Sequence, residues 1–124
     1  MDIANKNFIL DMTRGYAACA LWSSSDDNDR PLDGRFAICD IHEDTFATMT
    51  KDCRDFVQAT KTMLEHLDES DPERVGHDFW LTRNGHGAGF WDRGYGRLGQ
   101  YLSDVARSFG EVYIYAGDDE KVYA

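Results

Sequence analysis

The chain has little positive charge. Lys and Arg number 13 against 23 Asp and Glu, a formal net charge of −10 with His neutral. A phosphate backbone or an anionic membrane surface repels such a chain, so direct binding to duplex nucleic acid is not expected. Long apolar runs are missing too. A spanning helix needs about 18 or more consecutive apolar residues, so no membrane is expected as a partner. The opening segment MDIANKNFILDMTRGY has acids where a secretory signal needs a basic start and an unbroken apolar stretch, which points to a cytoplasm. Cysteine is scarce and odd in number. Cys19, Cys39 and Cys53 are widely spaced, with no CxxC pair, so reduced thiols are expected rather than a disulfide framework.

What is present suits one domain, residues 1–124. The length supports one core, and 42% hydrophobic residues can fill it. Phe8, Met12, Tyr16, Cys19 and Ala20 recur at helical spacing and predict a helix over Asn7–Trp22. Ser23–Arg35 reads as a loop punctuated by Pro31 and Gly34. Asp40 and Glu43 have capping-box spacing, and the stripe Phe46, Met49, Cys53, Phe56, Val57, Thr60, Leu64, Leu67 predicts a long amphipathic helix. Asp71-Pro72 opens a short helical turn that Gly76 ends. Leu98 to Phe109 repeats the helical stripe, with Gly110 as its cap. Glu111–Ala116 alternates, Gly117-Asp118-Asp119 turns, and Lys121–Tyr123 returns as a strand.

Between these lies His77–Trp91, which predicts a β-hairpin turning at Asn84-Gly85, because a type I′ turn needs positive φ at both central residues. In that register Phe79, Leu81, Ala88 and Phe90 face the core. Asp78, Trp80, Thr82, Gly87, Gly89 and Trp91 form the other face. Either Trp80 covers Gly89 within the fold, or the second face binds a ligand. The sequence thus predicts an α+β fold. A small antiparallel sheet of two β-hairpins packs with about three α-helices, in the order ααββαββ.

Arginine is concentrated in the same region. From Arg74 to Arg107 there are five arginines and three acids, Asp78, Asp92 and Asp104. Trp80, Arg83, His86, Trp91 and Arg93 are therefore candidate binding residues, with indoles stacking on a ligand and guanidinium groups meeting its negative charge. His77, Asp78, Arg83, His86 and Asp92 are candidates for an acid–base site, although a hairpin spreads them apart. A metal site is not expected, because His86 at the turn lies too far from His77 to share an ion. No cofactor is expected: there is no P-loop, GxSxG or HExxH, and the glycines after Asn84 precede a strand rather than a helix.

HDFWLTRNGHGAGFWDRG at His77–Gly94 resembles a run in small bacteriophage-encoded proteins. GYAACALWSSSDD at Gly15–Asp27 and VYIYAGDDEKVY at Val112–Tyr123 extend the resemblance over most of the chain. It implies only phage or prophage origin and action in a bacterial cytoplasm, and carries no catalytic residues over to this chain. Together with the net charge, it leads to the expectation of a non-enzymatic binding protein. The partner would be a basic host or phage protein that handles nucleic acid, met in counter-defence or host takeover, with the acidic surface acting as a nucleic-acid mimic. Asp26, Asp27, Asp29, Asp33, Asp40, Glu43 and Asp44 are the expected electrostatic contributors. Two alternatives stay open: a nucleotide or single-strand binder using the Trp/Arg hairpin, and a small enzyme using its His, Asp and Arg groups.

Overall fold

A computed structural model describes residues 6–66, 71–86 and 89–124, with the side chains of Trp91 and Asp92 excepted. Four helices dominate: α1 (Lys6–Ser23), α2 (Glu43–His66), α3 (Pro72–Arg83) and α4 (Arg97–Ser108). Short 3₁₀ turns occupy Leu32–Gly34, Ile38–Asp40 and Phe90–Arg93. Two short strands, β1 (Tyr115–Ala116) and β2 (Val122–Tyr123), pair antiparallel, with Tyr115 opposite Tyr123 and Ala116 opposite Val122.

The α+β order ααββαββ with two hairpins is therefore not the fold. Among the described residues there is one small sheet, and the segment expected to form the first hairpin is helical. The reason lies at both ends of α3. Asp71 is its N-cap, accepting hydrogen bonds from the Glu73 and Arg74 amides, and Pro72 follows it. At the other end Gly85 has φ +74, its amide donates to the Thr82 carbonyl, and the His86 amide donates to the Leu81 carbonyl. That pair of bonds is a Schellman motif. Asn-Gly supplies positive φ to a type I′ hairpin and to a helix terminus alike, and here it ends a helix. Gly87 and Ala88, two residues of the expected hairpin faces, lie outside the described residues, as does Leu67 of the long stripe.

Gly76 does not end α3, because α1 crosses there. A Cβ on Gly76 would overlap the Met12 carbonyl oxygen, and one on Gly15 would overlap the backbone of Glu73. The two helices approach at backbone distance, which only glycine permits. Around this crossing the core gathers Met12, Tyr16, Phe56, Phe79 and Phe90, all fully buried. Phe56 stacks on Phe90 at 5.4 Å between centroids and lies 4.4 Å from Phe79, which meets Phe109 edge-on at 5.1 Å. Such offset and edge contacts add about 0.5–1.5 kcal/mol per pair beyond burial.

The long helix starts at Glu43, and Asp40 does not cap it. The Asp40 carboxylate accepts the Ala37 amide and closes the preceding 3₁₀ turn, while His42 Nδ1 accepts the Asp44 amide. Ile41 bridges to Val122, and the His42 amide donates to the Val122 carbonyl. β2 thus lies between β1 and the entry to α2, which fixes the C-terminal sheet to the body of the fold.

Candidate functional site

The residues expected to form a binding face on a hairpin are distributed by α3 instead. Trp80 is 2% exposed; its indole N–H donates to Ser23 Oγ at 2.7 Å and its ring meets Tyr16 edge-on at 5.3 Å. It fills the α1–α3 interface and offers no face to a ligand. Gly89 has φ +105 and packs against Thr82 and the Asp78 carbonyl, not under Trp80. Its lack of a side chain marks a close approach by α3, the Thr82 hydroxyl first and the Asp78 carbonyl next.

Arg83 is 6% exposed. Its Nε donates to the Gly110 carbonyl at 2.8 Å and its Nη2 to the Phe109 carbonyl at 2.9 Å. Nη1 donates to Tyr16 Oη at 3.0 Å and Asp52 Oδ2 at 2.9 Å. The guanidinium therefore satisfies carbonyls at the end of α4, where a cation also suits the helix dipole. Burial pushes the Tyr16 hydroxyl well above its ordinary range, and the neighbouring Arg83 only partly offsets it. The cluster is fully engaged by structure.

Asp78, 1% exposed, is the second buried charge. Arg93 meets it with two bonds, Nε to Oδ2 at 2.9 Å and Nη2 to Oδ1 at 2.8 Å. This fork ties the 3₁₀ turn after Gly89 back onto α3. His77 lies beside it, with Nδ1 at 3.9 Å from Asp78 Oδ1, and shares a shallow surface with Arg74, Glu73 and Asp71. His86 is exposed beyond the opposite end of α3, so His77 and His86 do not converge. The Trp91 and Asp92 side chains lie outside the described residues.

A polar concave feature lies elsewhere. A cleft of about 530 Å³ opens between the loop Ser25–Asn28 and the segment Tyr115–Glu120. Asp26 and Asp27 come from the first segment and Tyr115, Asp118 and Glu120 from the second, and Arg35 completes the lining. These segments come from distant parts of the sequence, and three features hold them. Arg35 Nη2 donates to both Glu120 carboxylate oxygens, at 2.6 and 2.7 Å. The loop is closed on itself by the Ser25–Pro31 bridge and the Asp26 amide to Arg30 carbonyl bond. The Asp26 carboxylate accepts the Asn28 and Arg30 amides, and these backbone bonds hold it below the usual carboxylate range.

The strand side is just as organised. Asp119 accepts the Tyr123 hydroxyl, a bond that lowers the acid and raises the phenol. Tyr123 stacks on His42 at 5.0 Å and on Tyr115 at 5.9 Å. Tyr113 and Tyr115 remain 74% and 57% exposed, while Ile114 between them is buried.

The structure thus gathers only two of the expected acids, Asp26 and Asp27, into the cleft. Asp29 and Asp33 are exposed on the same loop outside its lining, and Asp40, Glu43 and Asp44 lie at the entry to α2. Asp118, Glu120, Arg35 and Tyr115 were absent from the sequence-based set. The acidic run after Gly117 is the usable sequence signal for Asp118 and Glu120. Comparison of the chain with family models, curated proteins and solved structures returns no match.

Proposed function

We propose that this chain is a non-enzymatic binding protein of phage or prophage origin that docks through its acidic surface on a basic partner, a host or phage protein that handles nucleic acid. One observation carries the reading: two acidic segments far apart in sequence, Ser25–Asn28 and Tyr115–Glu120, line one cleft, and the second brings an exposed tyrosine, Tyr115, to it. Asp26 is paired with Arg30 and Glu120 with Arg35, so the exposed carboxylates of Asp27 and Asp118 carry most of the negative charge offered there, and the net charge of −10 steers a basic surface toward it. Interfaces favour tyrosine because it supplies contact area at low entropic cost. Occupying the partner's nucleic-acid surface would inhibit it, in counter-defence or host takeover.

The test uses the whole chain and its quadruple variant Asp26→Asn, Asp27→Asn, Asp118→Asn, Glu120→Gln. Both are immobilised and exposed to purified basic nucleic-acid-binding proteins and to bacterial lysate. The wild type should retain partners that compete with DNA and elute as salt rises from about 0.1 M to about 1 M. The variant should lose them. Retention that is insensitive to salt, or equal for the variant, would overturn the reading.

A further inference from the structure

We infer that the cleft takes an extended, arginine- or lysine-bearing segment of the partner, which adds as a strand to the free edge of β1. This rests on the acidic-docking reading above and specifies its mode. The register decides which edge is free. The Gly117 amide donates to the Lys121 carbonyl at 2.7 Å, so Ala116 and Val122 form a non-hydrogen-bonded pair and Tyr115 and Tyr123 a hydrogen-bonded one. The N–H and C=O of Ala116 therefore point away from β2, and no backbone partner meets them among the described residues. β2 has both sides occupied, by β1 and by the Ile41–His42 segment. The outer edge of β1 has no backbone partner among the described residues, and Tyr115, Ala116 and Gly117 line the cleft.

An unpaired edge accepts an extended peptide through main-chain hydrogen bonds, while neighbouring side chains set the specificity. Here those neighbours are Asp26, Asp27, Asp118 and Glu120, which line the same cleft. Alternate side chains of an added strand point to opposite faces, so every second residue can be basic. The chain's own Arg35 already places a guanidinium on Glu120, which shows the group that fits. That pair is about half exposed on the Arg35 side and more so on the Glu120 side, so an incoming arginine can exchange with it. A second copy of this chain is disfavoured as occupant, because it would bring the same acids against each other.

The experiment titrates the full chain with a short peptide alternating Arg and Val, and with the same peptide N-methylated at every residue. Charge is equal, but only the first can pair as a strand. The unmodified peptide should bind about tenfold tighter or better. Its binding should slow hydrogen exchange at the Ala116 amide and weaken about tenfold in the quadruple acid variant. Equal binding of both peptides, or no protection at Ala116, would overturn strand addition while leaving acidic docking intact. Binding of neither would overturn both. Dimerisation that protects Ala116 and that the peptide does not reverse would assign the edge to a second copy, and would also overturn the inference.

Discussion

Gly76 lies directly against the carbonyl of Met12, so that α3 and α1 cross with no side chain between their backbones. This contact reverses the ordinary effect of a helix substitution. Replacing glycine by alanine inside a helix normally stabilises by about 1 kcal/mol. At Gly76 the added methyl has backbone on its far side, which cannot rotate away. Gly76→Ala should therefore destabilise by about 1–3 kcal/mol, as overpacking does. Gly15→Ala should behave alike, because the Glu73 backbone meets it. Gly34→Ala, with open space around its Cβ, is the control. Urea denaturation of the three variants checks this.

Arg83 is the second fixed point. Removing it strands the Phe109 and Gly110 carbonyls, the Tyr16 hydroxyl and the Asp52 carboxylate together. Arg83→Met, which keeps much of the side-chain volume, should cost about 3–5 kcal/mol. Arg83→Lys should recover only part of this, since a single ammonium cannot span partners on three sides. The double variant Arg83→Met, Asp52→Asn should lose less than the sum of its parts. Additive losses in a denaturation cycle would show that the two residues are not coupled.

The helices were legible where the pattern had one meaning. The stripe from Phe46 to Leu64 has a helical period and no competing turn signal, and α2 lies there. Leu98–Phe109 with Gly110 behind it also ends as expected, with Gly110 at φ +79. The middle of the chain misled because its signals were shared. Asn84-Gly85 serves a hairpin and a Schellman terminus equally, and Phe79 and Leu81 alternate while Val75, Phe79 and Arg83 also follow a helical period. Asp71-Pro72 was the deciding clue, since a capped start favours continuation. Gly76 was misleading because the helix packed on it was not visible in the local sequence. The cleft was half legible: the Asp26–Asp29 run stood out, but nothing local reveals that Asp118 and Glu120 fold onto it.

The three thiols should separate cleanly by burial. Cys19 and Cys53 are buried, and desolvation pushes both thiols up to about 12, so neither forms thiolate near neutral pH. Cys39 is exposed on the 3₁₀ turn before α2. A disulfide reagent added to the native chain at pH 8 should therefore modify Cys39 rapidly and the other two only on unfolding. Prompt reaction of all three thiols in the folded state would contradict the burial of Cys19 and Cys53. Cys39→Ser should abolish the fast phase and leave the slow one unchanged.

Acid should loosen the two turns that flank the cleft, each at its own carboxylate. Asp26 and Asp119 are held below the ordinary carboxylate range, Asp26 chiefly by the Arg30 amide and Asp119 chiefly by the Tyr123 hydroxyl. A group whose folded value is depressed lends stability above its unfolded value, near about 4, and loses it as pH falls through the folded value. Tyr123 is raised by the same bond, so it lends stability below about 10 and loses it as pH rises through its folded value. Between those limits Asp26, Asp119 and Tyr123 keep their charge states. Below about 4 the amides of Asn28 and Arg30, which donate to Asp26, should shift together in an NMR titration. Lys121, whose amide donates to Asp119, should report the other turn. In Tyr123→Phe the Asp119 carboxyl should titrate at higher pH while Asp26 keeps its midpoint. Movement of both midpoints would mean that the two carboxylates are coupled through the cleft rather than each held by its own turn.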